Sequence, residues 1–388
     1  MYSPLRVIRR NKRQRGFNSR IHDNILRTEA LTRRVVLWPH WFGYQASSLR
    51  TRYWPTFKEC QTRKSAGRIA ADLVRETYRW KCLPFHYFMY GLYRSSVPRH
   101  AADDFLPESV LYYRILPRTN TACVLLDDKV VAKSIIENRG IPQPRTVMTK
   151  SADALWGQDW RRIHGQEELA EALAAETGRL LLKPASFSSG GKGRAVFAKA
   201  ADGDYRSRDG QLLDWQLLSS LPSKWLLEEC VDQPDWLKKL YPGSLNTFRL
   251  LTMLTEDGPV VLSCTLKCGA DGNPAANLHS GGVAVAVDLN TGKLTDRAVD
   301  WSMREHTTHP TTGVSFAGLR VPNVESLSAT ALACAEAFPD MTLVGWDISL
   351  DAQGKPVVLE GNSSPALDAT QWTQGGVVPL LDRVGGLW

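Results

Sequence analysis

LVGWDISLDAQGKPVVLEGN, residues 343–362, reads as two strands joined by the tight turn DAQG. In a strand, residues i and i+2 point to the same face. Glu360 and Asn362 therefore present two oxygen donors together, and the hairpin partner can bring Asp347 alongside. Two carboxylates and an amide oxygen are a hard-oxygen set, suited to a Mg²⁺ ion that holds phosphate oxygens. Polar residues closing strand ends would be the plainer account of these three. The order of Asp, apolar strand, turn and E-x-N is unusual for that use.

Outward from the hairpin, the chain keeps an α+β rhythm. Residues 246–254 (NTFRLLTML), 259–266 (PVVLSCTL) and 283–289 (VAVAVDL) read as strands, and 324–337 as a helix. Arg249 stands among the apolar residues of the first run and needs a partner there, either a substrate phosphate or carboxylate or a protein carboxylate. Asn277 and His279 lie in the loop NLHSGG, which can meet a terminal phosphate or a substrate.

Further upstream, GRLLLKP (178–184) reads as a buried strand ending on Lys183, and RAVFAK (194–199) as its hairpin partner around SFSSGGKG. Lysine at a strand end is a fixed positive charge, and glycines let backbone N–H groups approach phosphate. The order is neither a Walker A loop nor a dinucleotide fingerprint; a mobile surface hairpin is the plainer account. WLLEECV (225–231) is another strand, with Glu228 and Glu229 placed either to accept from an adenine amino group or to make structural ion pairs. TACVLL (121–126) reads as a short strand, and DDKVVAKSIIENRG as a helix capped by Asp127 and stopped by Gly140. Residues 65–80 read as a helix capped by Ser65, and the aromatic run 85–93 as a helix packed into a core.

Composition sets the remaining bounds. The 388 residues suffice for two or three subdomains, with 43% hydrophobic and 23% charged residues as in ordinary globular proteins. No apolar run is long enough to span a membrane, and no secretory core is present, so the cytosol is expected. The seven scattered cysteines suggest reduced thiols, without the second pair a zinc site needs. Residues 1–35 hold ten Lys or Arg against Asp23 and Glu29, which equals the whole net charge of +8. Such an arm would draw an anionic partner (RNA, an acidic polymer or a lipid surface) or serve as a solubilising tail or targeting peptide.

In this order, LLDDKVVAK, GIPQP, LLLKP with SSGGKG, LLEECV, SLNTFRLLT, NLHSGG, GWDISL and LEGNSSP resemble the ATP-grasp superfamily, and within it the sugar-transfer-associated group. The resemblance implies an ATP-grasp fold with an aromatic-rich helical N-terminal region. The implied layout is a basic arm at 1–35, the helical region at 36–120, a small lysine and glycine-loop subdomain at 121–224 and a large subdomain at 225–388. It also implies ATP and Mg²⁺. By its motifs Lys129 and Lys183 contact ATP, while Ser188, Ser189, Gly190, Gly191, Lys192 and Gly193 close over the phosphates. Glu228, Glu229, Cys230 and Val231 meet the adenine, with Asp232 or Asp235 at the ribose. Arg249, Lys183 and Asn277 act on the reacting groups, and Asp347, Glu360 and Asn362 hold the metal. The continuation SSPAL departs from the Pro-Gly that follows E-x-N in D-alanine–D-alanine ligase.

The expected function is ligation of a carboxylate to an amine or other nucleophile through an acyl phosphate, with release of ADP and phosphate. Positioning and charge neutralisation would supply most of the catalysis. The alternatives are a phosphotransferase on the same fold or a non-catalytic nucleotide-binding protein.

Overall fold

A computed structural model describes residues 42–151, 154–186, 193–221, 224–272 and 276–385. The basic arm and Ser188 to Lys192 of the glycine loop lie outside these residues. Two antiparallel sheets of seven strands each form the frame among the described residues. The first contains β1 (Thr146–Ser151), β2 (Ala154–Gly157), β3 (Arg162–Ile163), β4 (Leu180–Pro184), β5 (Ala195–Lys199), β6 (Tyr205–Ser207) and β7 (Trp225–Glu229), in the order β3-β2-β1-β7-β4-β5-β6. The second contains β8 (Thr247–Thr255), β9 (Gly258–Cys268), β10 (Val283–Val287), β11 (Leu294–Asp300), β12 (Glu305–His306), β13 (Leu343–Leu350) and β14 (Pro356–Asn362), in the order β12-β11-β10-β9-β8-β13-β14. β7 sits between β1 and β4, so a lobe boundary at residue 224 would divide the first sheet.

The helices that bear on the site are α1 (Ala66–Trp80), α2 (Phe85–Met89), α3 (Val124–Asp127), α4 (Lys129–Asn138), α5 (Val324–Ala337) and α6 (Asp368–Gln374). α1 starts where Ser65 accepts from the Arg68 N–H, as a capping serine should. The aromatic run forms α2 and the turn after it, burying Tyr87, Met89, Leu92 and Tyr93 in a core of their own.

All eight residues of β13 are buried, because the second sheet is covered on both faces. Val344, Trp346, Ile348 and Leu350 point into one core with Phe248, Leu250 and the apolar side of α5. Leu343 points the other way, with Leu251 and Met253, into a core shared with Leu106, Val110 and Leu111 of the N-terminal region. Alternation in a pleated strand then puts Arg249 and Asp347 on the N-terminal side, and the register shift of β14 between Asp347 and Ile348 turns Glu360 to that side too, although Val358 packs in the opposite core. Cross-strand register confirms the row, since Asp347 is opposite both Arg249 and Glu360. Gly361 faces the opposite core, where an added Cβ would lie 2.5 Å from the Trp346 ring and 2.9 Å from Leu126. The small residue in E-G-N is therefore a packing requirement.

Two local expectations need correction. TACVLL is not a strand: Val124–Asp127 forms α3, and Leu126 packs against Trp346's side of the sheet. A six-residue apolar run carries no period that separates strand from buried helix. The α4 cap is Asp128 rather than Asp127, accepting from the N–H groups of Val130 and Val131. Asp127 instead accepts from the Ser363 hydroxyl at 2.7 Å, which ties α3 to the segment after β14.

Candidate active site

Lys129 opens α4, and its backbone N–H bonds to the Ala185 carbonyl just beyond β4. That bond holds the start of the helix against the strand end carrying Lys183. Lys133, one helical turn further on, points the same way. Its ammonium lies 3.0 Å from Glu228, and that of Lys183 lies 2.7 Å from the same carboxylate. Glu228 is 1% exposed. Burial by itself would raise its carboxyl, but the two lysines hold it below the ordinary value. Burial lowers both Lys129 and Lys133, opposed by Glu360 and Glu228 respectively.

On the second sheet, Arg249 grips Asp347 with two parallel bonds, Nε to Oδ1 at 2.7 Å and Nη2 to Oδ2 at 2.9 Å. Lys267 of β9 adds a third at 2.9 Å. Burial pushes the Asp347 carboxyl up, and the two cations more than reverse this, leaving it well below the carboxylate range. Arg249 is held above its usual value by the same carboxylate, against the effect of burial. The guanidinium also lies over Gly345, where an added Cβ would stand 3.1 Å from its Cδ and 3.2 Å from Nη1. Of the two partners open to Arg249, the protein carboxylate is the one found.

The residues expected to hold Mg²⁺ fit that ion unevenly. Glu360 has only loose cationic neighbours, Lys129 at 3.8 Å and Arg194 at 3.7 Å. Asn362 donates from its amide nitrogen to the Gly345 carbonyl, which turns its oxygen away from that bond. These two offer hard oxygens. Oδ1 of Asp347 accepts from both Arg249 and Lys267, while Oδ2 accepts from Arg249 alone and keeps a lone pair that a metal could use. Among the described residues no group of three or more His, Cys, Asp or Glu is placed to hold a metal by itself.

The other expected residues divide. Glu229 bonds to Arg145 at 2.6 Å, and Arg145 also pairs with Glu176. The side chains of Glu228 and Glu229 are thus both in ion pairs, the second of the uses open to them. The Cys230 N–H donates to the Arg179 carbonyl. Burial pushes the Cys230 thiol up to about 11, away from thiolate reactivity. Asp232 pairs with Lys238 at 2.9 Å. Gly193 has φ +75°, a conformation that admits glycine readily, and its Cα hydrogens abut Pro184 and Trp225. Asn277 begins the turn before β10, where its carbonyl accepts from Ser280 and Gly282. His279 feels both Asp368 and Lys267, so this loop borders the Arg249 row.

Sequence reading did not single out Lys133, Arg194 or Lys267. Lys133 is four residues from Lys129 on one helix face, and Lys267 is a lone cation in an apolar strand. Both are signals of the kind that marked Arg249. Taken together, six cations (Lys129, Lys133, Lys183, Arg194, Arg249 and Lys267) face three carboxylates, Glu228, Asp347 and Glu360.

A sequence profile for sugar-transfer associated ATP-grasp proteins matches residues 111–386, which is more than half of the chain. No curated protein matches in sequence. Among solved structures, D-alanine–D-alanine ligase from Bacillus anthracis with ATP aligns at 14% identity, with a TM-score of 0.36, over 67% of this chain and 66% of that one. N5-carboxyaminoimidazole ribonucleotide synthetase from Thermotoga maritima aligns at 13% identity and a TM-score of 0.35, over 63% of this chain. The chain spans 44% of that synthetase's length. With a profile match over more than half of its length, the chain belongs to the sugar-transfer associated ATP-grasp family.

Proposed function

We propose that the protein is a Mg-ATP-dependent ligase that activates a carboxylate as its acyl phosphate and joins it to an amine or another nucleophile, releasing ADP and phosphate. The observation that carries this reading is that six cations outnumber the three carboxylates they meet, four of them closely and Lys129 and Arg194 only loosely engaged by Glu360. A polyphosphate is the ligand whose charge suits that excess.

Lys129 and Lys183 hold phosphate oxygens; Ser188 to Lys192, expected from the sequence to close over them, lie outside the described residues. The backbone after β7, at Cys230 and Val231, receives the adenine edge. Asp347 through Oδ2, Glu360 and the Asn362 amide oxygen would hold Mg²⁺, which when bound neutralises phosphate charge. Arg249 is aimed by its double bond to Asp347, and Nη1, which takes no part in that bond, faces the reacting carboxyl. Asn277 stands on the loop that flanks it. Lys267 fixes Asp347 from the other side, so the guanidinium cannot turn without breaking a buried ion pair. Charge placement of this kind acts on the transition state without a protein nucleophile.

The test incubates the chain with Mg-ATP, candidate carboxylates and hydroxylamine, then separates the nucleotides and seeks a hydroxamate. ADP with hydroxamate supports the ligase. ADP with a phosphorylated hydroxyl compound and no hydroxamate would make it a phosphotransferase, and AMP with pyrophosphate would refute both.

A further inference from the structure

A cavity of about 320 Å³ lies between α6 and the β11–β12 edge of the second sheet, outside the site described above. Trp372 and Thr373 of α6 line one side, and Thr295, Arg297 and Val299 of β11 with Glu305 of β12 line the other. The cavity shares a face of the sheet with Arg249. Gln374, the last residue of α6, donates to the Cys264 carbonyl at 2.9 Å and to the Thr265 hydroxyl at 3.1 Å. Thr265 stands opposite Arg249 across β8 and β9. β11 is three strands from β8 in the sheet order, which places the cavity about 14 Å from the Arg249 row. Aromatic rings fill the interval: Trp372 meets Trp301 edge to face at 5.6 Å between centroids, and Trp301 meets His279 of the NLHSGG loop at 3.5 Å.

The chemistry of the two walls narrows the occupant. The Trp372 N–H donates to the Met89 carbonyl at 2.9 Å, so its ring offers the cavity an apolar surface. Opposite it, Arg297 donates from Nη1 to Oε2 of Glu305 at 2.6 Å, leaving its Nε and Nη2 and the second Glu305 oxygen without a partner among the described residues. The Thr373 hydroxyl donates to the Ala369 carbonyl and that of Thr295 to the Arg297 carbonyl, so both keep acceptor capacity. The charges of Arg297 and Glu305 cancel, and the remaining carboxylate in the lining, Asp296, opposes an anion. A flat apolar wall facing interleaved donors and acceptors, with little net charge, suits a neutral ring that has a C–H face and adjacent hydroxyls. The volume is at the lower end of the range for small-molecule sites.

We propose that this cavity binds a neutral pyranose ring of the substrate that reaches the Arg249 row. The ring stacks its C–H face on Trp372 and hydrogen-bonds through its hydroxyls to Arg297, Glu305, Thr295 and Thr373. An extended substrate then spans the sheet face, with its reacting group at Arg249 and the sugar at the sheet edge. This inference rests on the ligase reading, because it names a chemical feature of that reaction's substrate.

The experiment applies saturation-transfer NMR to the full chain with the methyl glycosides of glucose, galactose, mannose and N-acetylglucosamine. Cyclohexanol, a six-membered ring without adjacent hydroxyls, is the control, and Mg-ATP binding is measured in parallel by calorimetry. At least one glycoside should bind saturably and cyclohexanol should not. Trp372→Leu should weaken that binding at least about tenfold, while Trp372→Phe stays within about threefold of wild type. Arg297→Gln and Glu305→Gln change exposed side chains, so the fold is kept, and each should weaken binding about fivefold with Mg-ATP affinity unchanged. No saturable binding of any of the glycosides, equal binding of cyclohexanol, or an unchanged affinity in Arg297→Gln or Trp372→Leu would overturn the inference. Loss of Mg-ATP binding with glycoside binding intact would instead remove the ligase reading and leave the sugar site standing.

Discussion

Glu228→Gln keeps the size and shape of a side chain that is 1% exposed and removes only its charge. Lys183 and Lys133 then lose the carboxylate at 2.7 Å and 3.0 Å, and Lys133 retains its 2.7 Å bond to the Pro144 carbonyl. Removing one partner of a buried ion pair costs about 3–5 kcal/mol, because an uncompensated charge is left behind. The direction of the pH effect follows from the depressed Glu228 carboxyl. In the wild type its contribution is present above the ordinary carboxylate value and is lost as pH falls through the lower folded value. In the variant the destabilisation is largest near neutral pH and shrinks as the pH rises, where Lys133, whose ammonium burial already disfavours, sheds its proton. Mg-ATP supplies the missing anion, so it should stabilise the variant more than the wild type. Urea unfolding of both proteins, with and without Mg-ATP, measures each quantity. A loss below about 1 kcal/mol, or an equal gain from Mg-ATP in the two proteins, would refute the claim that Glu228 holds these lysines in place of phosphate.

Further outcomes follow from other residues. Glu108, raised to about 7, binds its proton more tightly when folded, so its favourable contribution is full below the ordinary value of 4.5 and disappears as pH rises through 7. Glu108→Gln should therefore add up to about 3 kcal/mol at pH 8 and flatten stability between those limits; an unaltered pH profile in urea melts would show that the carboxyl is not buried beside Asp368. Gly361→Ala should lose about 1–3 kcal/mol through its clash with Trp346 and Leu126, and a thermal melt matching wild type would mean that the packing gives way freely. Glu360→Gln and Asn362→Ala should abolish Mg²⁺-dependent turnover while circular dichroism stays native, whereas near-normal turnover in both would move the metal elsewhere.

Much of the large sheet was legible because its strands alternate or run apolar between clear turns. The hairpin 343–362 and the helix at 324–337 match the structure closely. Asp347, Arg249 and Glu360 were recognisable as charges in apolar strands, yet their pairing depends on register across β8, β13 and β14, which no single strand encodes. The roles of Glu228 and Glu229 were left open between base recognition and ion pairing, and their partners Lys133 and Arg145 come from distant segments. TACVLL misled because a short apolar run has no period. Glu108 was invisible for another reason: it looks like an ordinary helix-start acid until packing buries it within reach of the Asp368 charge.

On the proposed ligase reading, a carboxylate takes the γ-phosphoryl group before the nucleophile arrives. Once the hydroxamate identifies the acid, that acid labelled with ¹⁸O in its carboxylate is run with Mg-ATP and an amine, and the released products are weighed by mass spectrometry. Attack by a carboxylate oxygen, followed by cleavage of the bond from carbon to that oxygen, leaves one ¹⁸O in inorganic phosphate and none in ADP. Label in AMP, or phosphate without label alongside amide product, would contradict the mechanism.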